Sequence, residues 1–205
     1  MIIALILIAW VFRPRFRPAD RTEFPQVLTP TVPFRPSSKN WVQRPSRRHQ
    51  QNIIHAESVL KWLRSKSPEA EFSVVIATLR RLTPYVFEEL LLTCCREQGW
   101  RIQRNLKYSG DGGVDGRVLI LSKLYLLQAK RYVGYIKPQH IKNFQEVIQL
   151  QGASGGFFVH SGKTGGISKQ LLQEYPQVNL LSGQRLVDFV LGKPLRIVGV
   201  TIPPE

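Results

Sequence analysis

The sequence predicts a mixed α/β domain, with helices on both faces of a small sheet, carried behind a basic, proline-rich arm. Three observations predict it. From Ile53 onward, apolar residues recur at helical spacing and then at strand spacing, and the two periods alternate down the chain. Glycines and prolines punctuate each change of period. Hydrophobic residues make up 43% of the 205 positions, enough for a real core, and no internal repeat competes with this reading.

Residues 1–12 (MIIALILIAWVF) are uncharged and almost wholly apolar. As a helix they would cover about 18 Å, short of a hydrocarbon core of about 30 Å. Arg13, Arg15, Arg17 and Arg21 follow at once, so a membrane anchor with its arginines held on the cytoplasmic side is the preferred reading. A cleaved signal and a helix buried against the domain are the alternatives. A secretory signal would also need a positive n-region and a small-residue cleavage site, which are missing. Residues 13–52 read as an extended, solvated linker, because prolines recur at 14, 18, 25, 30, 33, 36 and 45 and remove backbone donors.

Two short helices are expected over 53–66 and 69–82, broken at Ser67-Pro68. Thr83-Pro84 opens a third, with Thr as N-cap and Pro in the first position; Phe87, Leu90, Leu91 and Cys94 mark its buried face and Gly99 ends it. Strands are expected over 100–104, 114–121 and 123–132, with the glycine-rich turn Ser109–Gly113 before the second. A helix (138–151), a strand (156–160), a helix (166–175), a strand (178–181) and a helix (182–191) follow. The folded domain is placed at 83–195, with 53–82 as a helical lead-in and 196–205 as a tail.

The formal net charge is +15, which attracts polyanions, either nucleic acid or an anionic membrane. It is concentrated in the linker, where nine basic residues face two acids. The only cysteines, Cys94 and Cys95, are adjacent, which excludes a sensible disulfide between them and any CxxC metal knuckle. Cys94 is expected in the core and Cys95 on the helix surface. Gly162-Lys163-Thr164 is not a nucleotide phosphate loop, because the pattern needs glycine at position 157, which is phenylalanine. His140 and His160 read as structural or exposed, and His49 and His55 as linker residues.

One constellation carries chemistry. Asp115 starts a strand directly after the glycine turn. Gln128 and Lys130 lie two apart on the next strand, so both point to one face. A tight connection brings Asp115 beside them, and Glu88, on the preceding helix, adds a second carboxylate. A carboxylate, an amide oxygen and the Ala129 carbonyl are hard oxygen ligands suited to Mg²⁺, and Lys130 can orient water or stabilise developing charge. On spacing alone, Asp115 as a turn closer and Lys130 as a solvated strand end remain open.

Residues 84–132 resemble the catalytic domain of the Mrr-like restriction endonucleases, within the PD-(D/E)xK nuclease superfamily. Phe87-Glu88, Gly110-Asp-Gly-Gly-Val-Asp115-Gly116 and Gln128-Ala129-Lys130-Arg131-Tyr132 carry the resemblance, and it extends more weakly through Phe157–His160 to about Leu191. It implies a restriction-endonuclease-like αβββαβ core with flanking helices, a Mg²⁺ or Mn²⁺ cofactor and double-stranded DNA as substrate. It assigns catalysis to Asp115, Gln128, Lys130 and Glu88, and metal binding to Asp115, Gln128 and Ala129. Arg131, Lys107 and Lys163 are the expected nucleic-acid contacts. Some relatives carry a separate winged-helix domain that recognises modified DNA. Residues 53–82 offer two helices and no strands, so methylation-dependent recognition is not expected. The expected protein is a metal-dependent DNA endonuclease in the bacterial cytoplasm, anchored to the inner membrane. Lipid and a second copy of the chain are further expected partners. The alternative is a catalytically inactive nuclease-fold DNA-binding or adaptor protein.

Overall fold

A computed structural model describes residues 46–66, 72–105 and 113–197. The apolar segment 1–12, the linker as far as residue 45, Lys107 and most of the glycine turn lie outside the described residues. So does the tail from residue 198. Among the described residues, no helix is long and apolar enough to cross a membrane.

The elements run α1 (Arg47–Ser65), α2 (Phe72–Arg81), α3 (Pro84–Glu97), β1 (Arg101–Arg104), β2 (Gly116–Ile120), β3 (Lys123–Lys130), α4 (Pro138–Leu150), β4 (Gly155–His160), α5 (Gly166–Glu174), β5 (Val178–Leu181) and α6 (Gly183–Val190). The αβββαβ core expected from the resemblance is therefore α3-β1-β2-β3-α4-β4. The five strands lie in sequence order. The β1-β2-β3 part is antiparallel and β3-β4-β5 is parallel, because only the latter strands are joined through helices. Between β2 and β3, Leu121 (φ 47°) and Ser122 (φ 65°) form a two-residue hairpin loop in the left-handed region.

Each face of the sheet has its own core. Val118, Ile120, Tyr125, Leu127, Phe157 and Val159 pack under α1, α2, α3 and α6. Leu124, Leu126 and Phe158 pack under α4 and α5. Period-two alternation along β3 thus sends Leu127 and Ala129 to one side, and Leu126, Gln128 and Lys130 to the other.

The boundaries differ from expectation at both ends. Helix α1 starts at Arg47, not residue 53, because Ser46 caps it by accepting from His49 N–H at 3.3 Å and no proline recurs between Pro45 and Pro68. His49 is accordingly not a linker residue: it is buried against α3. The helices of the lead-in pack into the domain, since Leu60, Leu63, Val75, Ile76 and Leu79 belong to the main core. At the other end Ile197 is buried in that core, so the fold continues past residue 195. Cys95 is buried like Cys94, which corrects its expected surface position. Burial pushes the Cys94 thiol up to about 12 and Cys95 well above the usual thiol range, so neither is a nucleophile near neutral pH.

Candidate active site

The end of the β2–β3 hairpin brings three of the expected residues together. Asp115 N–H donates to Leu127 O at 2.8 Å, and Ala129 N–H donates to Asp115 Oδ2 at 2.6 Å. The Asp115 carboxylate thus takes a main-chain ladder position and is fixed against the Gln-x-Lys strand. Gln128, 6% exposed, donates through Nε2 to Gly113 O, which leaves Oε1 as the acceptor end of the amide. Lys130 O accepts from Ser161 N–H on the β4 side. The carbonyl of Ala129, one residue back, therefore turns toward β2 and Asp115.

Two glycines of the motif have physical reasons. Gly113 sits at φ +83°, and a Cβ there would lie 2.7 Å from Gln128 Nε2. A Cβ on Gly116 would meet Leu92 Cδ2 at 2.6 Å, so glycine lets α3 close onto the strand beside Asp115. Glu88 is half-buried one helical turn before Leu92, on the helix face that packs there.

These oxygens fit a hard divalent cation by their chemistry: one carboxylate held in place, one amide oxygen and one backbone carbonyl, with water completing the shell. Among the described residues, no three His, Cys, Asp or Glu side chains converge as a metal cluster. A set that is mostly neutral oxygen falls outside that description.

Beyond Lys130 the chain carries a second polar layer that sequence reasoning left as structural or exposed. Tyr132 Oη and His140 Nδ1 are 2.8 Å apart. Burial, then the charges of Lys130 and Lys137, push the His140 ring below its usual value. His160 lies opposite Lys130 in the β3–β4 register and is fully buried. Its Nδ1 accepts from Gly162 N–H at 3.2 Å, so the proton sits on Nε2, which is 3.2 Å from Thr164 Oγ1. The bond pattern thus matches the neutral ring.

Arg131, one of the expected DNA contacts, is exposed and also has a structural partner. Its Nη1 donates to Arg80 O at 3.0 Å and to Leu82 O, tying down the last carbonyls of α2. Arg80 in turn donates to Ser161 O at 2.9 and 2.7 Å. These two arginines lock α2 to the ends of β3 and β4. Lys163 is exposed, as a phosphate contact requires. Glu89, the neighbour of Glu88, is 1% exposed and bridges His49 (3.3 Å) and Arg104.

His160 makes folding pH-dependent. Burial lowers its pKa from 6.5 to about 4. The unfolded chain takes up this proton near pH 6.5 and the folded chain only near pH 4. The stability tied to the neutral ring is therefore intact above pH 6.5 and declines as pH falls toward 4. The decline approaches about 3 kcal/mol at roughly 1.4 kcal/mol per unit. Denaturant unfolding from pH 7 to 4 should show a shallower decline for His160→Gln; equal slopes would remove His160 as the source.

The hairpin carries a carboxylate, an amide and a lysine on an αβββαβ core, the core expected of a restriction-endonuclease-like domain. The Mrr_cat restriction endonuclease family model matches residues 79–190, more than half of the chain, and the chain belongs to that family. It is 27% identical over 143 residues to the Type IV methyl-directed restriction enzyme EcoKMrr of Escherichia coli (strain K12). That match covers 66% of this chain and 45% of the length of the relative. Two solved restriction endonucleases align at a TM-score of 0.41. One is MspJI in complex with a 27-mer oligonucleotide (21% identity, 78% of this chain, 35% of that one). The other is the DNA modification-dependent enzyme AspBHI (18% identity, 80% of this chain, 41% of that one). The family assignment rests on the family model.

Proposed function

We propose that the chain is a metal-dependent DNA endonuclease, with Asp115, Gln128, the Ala129 carbonyl and Lys130 as its reacting centre and Glu88 as an accessory carboxylate. The observation that carries this reading is the 2.6 Å contact from Ala129 N–H to Asp115 Oδ2, which holds a carboxylate across the hairpin against the Gln-x-Lys strand.

Bound Mg²⁺ or Mn²⁺ would supply a polarised phosphate and an acidified water. The protein's own groups do the rest. Asp115 provides the negative charge that attracts the cation. Gln128, anchored by its amide N–H to Gly113 O, presents its oxygen without adding charge. Lys130, on the same face, faces the phosphate and either orients the attacking water or stabilises the charge that develops. Double-stranded DNA is the proposed substrate; EcoKMrr, by its name, acts on methylated targets, and a methyl-directed specificity is not part of this proposal. Incubating the full-length protein with plasmid, with Mg²⁺ or Mn²⁺ and then with EDTA, tests the reading. Metal-dependent nicking is expected. DNA retention without cutting would favour the inactive DNA-binding alternative.

We further propose that residues 1–12 hold the protein on the cytoplasmic side of a bacterial inner membrane. The support is the uncharged apolar run and the four arginines that follow it, each adding on the order of 1 kcal/mol at an anionic surface. Full-length protein should fractionate with membranes, and a chain lacking residues 1–20 should be soluble. Full-length protein found wholly in the soluble fraction at low salt ends the anchor reading.

A further inference from the structure

Two loops leave the C-terminal ends of neighbouring strands on the edge that carries Lys130: residues 131–137 after β3 and 161–165 after β4. They are joined as one ridge. Tyr135 and Lys163 form a parallel bridge, with Ile136 N–H donating to Lys163 O at 3.0 Å and Lys163 N–H to Gly134 O at 2.9 Å. Below it, Ser161 Oγ accepts from Tyr132 N–H at 3.1 Å and donates to Tyr132 O at 3.0 Å. The packing at Gly162 is close enough that a Cβ would lie 2.6 Å from Tyr132 Cβ.

This ordered backbone exposes large apolar side chains. Val133 is 75% exposed, Tyr135 66%, and Ile167, at the start of α5, 66%. Lys163 Nζ lies 5.9 Å from the centre of the Tyr135 ring. Lys137 and Lys169 are exposed nearby in sequence. The whole stretch from Gly116 to Gln173 contains one acidic residue, Glu146, against eight lysines and arginines. An apolar tip ringed by cations suits a duplex. Phosphates face the lysines, while sugars and base edges lie deeper in the groove. An exposed aromatic on a preformed backbone also binds with little ordering entropy.

Resting on the nuclease reading above, we propose that this ridge is the groove-contacting element of the protein, with Tyr135 seated against sugars or bases next to the phosphate that is cut. Tyr135 and Val133 position the duplex; Lys163 holds its backbone. A second copy of the chain, or lipid, would not need the ridge to adjoin Lys130.

The test compares full-length wild type with Tyr135→Ala, Tyr135→Phe, Val133→Ser and Lys163→Ala. Leu150→Ala, at a still more exposed apolar position at the end of α4, is the control. Affinity for a fluorescent plasmid-derived duplex is measured in EDTA over a range of salt, and cleavage is measured with Mg²⁺. Tyr135→Ala should weaken binding about tenfold and raise KM more than it lowers kcat, with Tyr135→Phe near wild type. Its salt dependence should be unchanged, whereas Lys163→Ala should reduce the salt slope by about one. Val133→Ser gives the same reading if Tyr135→Ala is unstable. If wild type binds and cuts DNA while both Tyr135→Ala and Val133→Ser match it, the ridge proposal is overturned and the nuclease reading stands. If wild type neither binds nor cuts DNA, the nuclease reading falls and takes the ridge with it. A Leu150→Ala effect equal to that of Tyr135→Ala would also overturn it.

Discussion

Replacing Lys130 by alanine is expected to slow DNA cleavage by about a hundredfold to a thousandfold while DNA affinity falls only slightly. The asymmetry follows from where the lysine sits. It shares a strand face with Gln128, beside the strand position where Asp115 is fixed, and in the proposed mechanism its ammonium meets the charge that grows during cleavage. For binding it is one cation among many on a chain of net charge +15, and a single phosphate contact is a small share of that attraction. Single-turnover cleavage and anisotropy on the same protein separate the two effects. A mutant that cuts at the wild-type rate removes Lys130 from the chemistry; one that cuts slowly only because it no longer binds reduces it to a contact.

The second large effect is on stability, and it separates two neighbouring glutamates. Glu89 is 1% exposed, with His49 3.3 Å from one carboxylate oxygen and Arg104 on the other. Glu89→Ala leaves the Arg104 charge, itself largely buried, without its partner, and is expected to destabilise the fold by about 3–5 kcal/mol. Glu88→Ala, half-buried on the same helix, should show the opposite pattern, with activity lost and a smaller change in stability. Thermal unfolding and cleavage of both variants decide the matter. Equal losses of stability would mean that both carboxylates serve the core.

That pair also shows how far the sequence is legible. Residues 88 and 89 are adjacent, so helical periodicity alone separates their directions by about 100°. It does not say which of the two is buried in the core. The partners that settle it, His49 and Arg104, belong to other elements. His49 lay hidden in a proline-rich stretch whose composition reads as linker, and only its capping serine marks the helix start. Arg131 was legible as a cation next to Lys130. Its docking on the carbonyls of α2, some fifty residues earlier, depends on tertiary packing.

The element order was legible because glycine and proline interrupt each periodic run, and because β3 keeps a strict period of two through Gln128 and Lys130. The two-residue turn at Leu121-Ser122 was legible only as a tight connection. Neither residue is an ordinary choice for left-handed backbone, so no turn chemistry announces it. Within the site, the Gln-x-Lys spacing was legible. The bond from Ala129 N–H to Asp115, which joins the two strands chemically, was not, because a side chain replaces a ladder carbonyl only in three dimensions.

Asp115 is proposed to attract the metal on which cleavage depends, and Asp115→Asn removes that charge alone. Asparagine keeps an oxygen that can accept from Ala129 N–H, so the hairpin is retained while the charge is lost. The measurement is the rate of plasmid cleavage against Mg²⁺ concentration for wild type and Asp115→Asn, using plasmid grown with and without DNA methylation. Saturable, metal-dependent cleavage is expected of wild type, and none of Asp115→Asn at an unchanged melting temperature. Wild-type cleavage that persists in EDTA, or an Asp115→Asn curve that overlays the wild type, would contradict it.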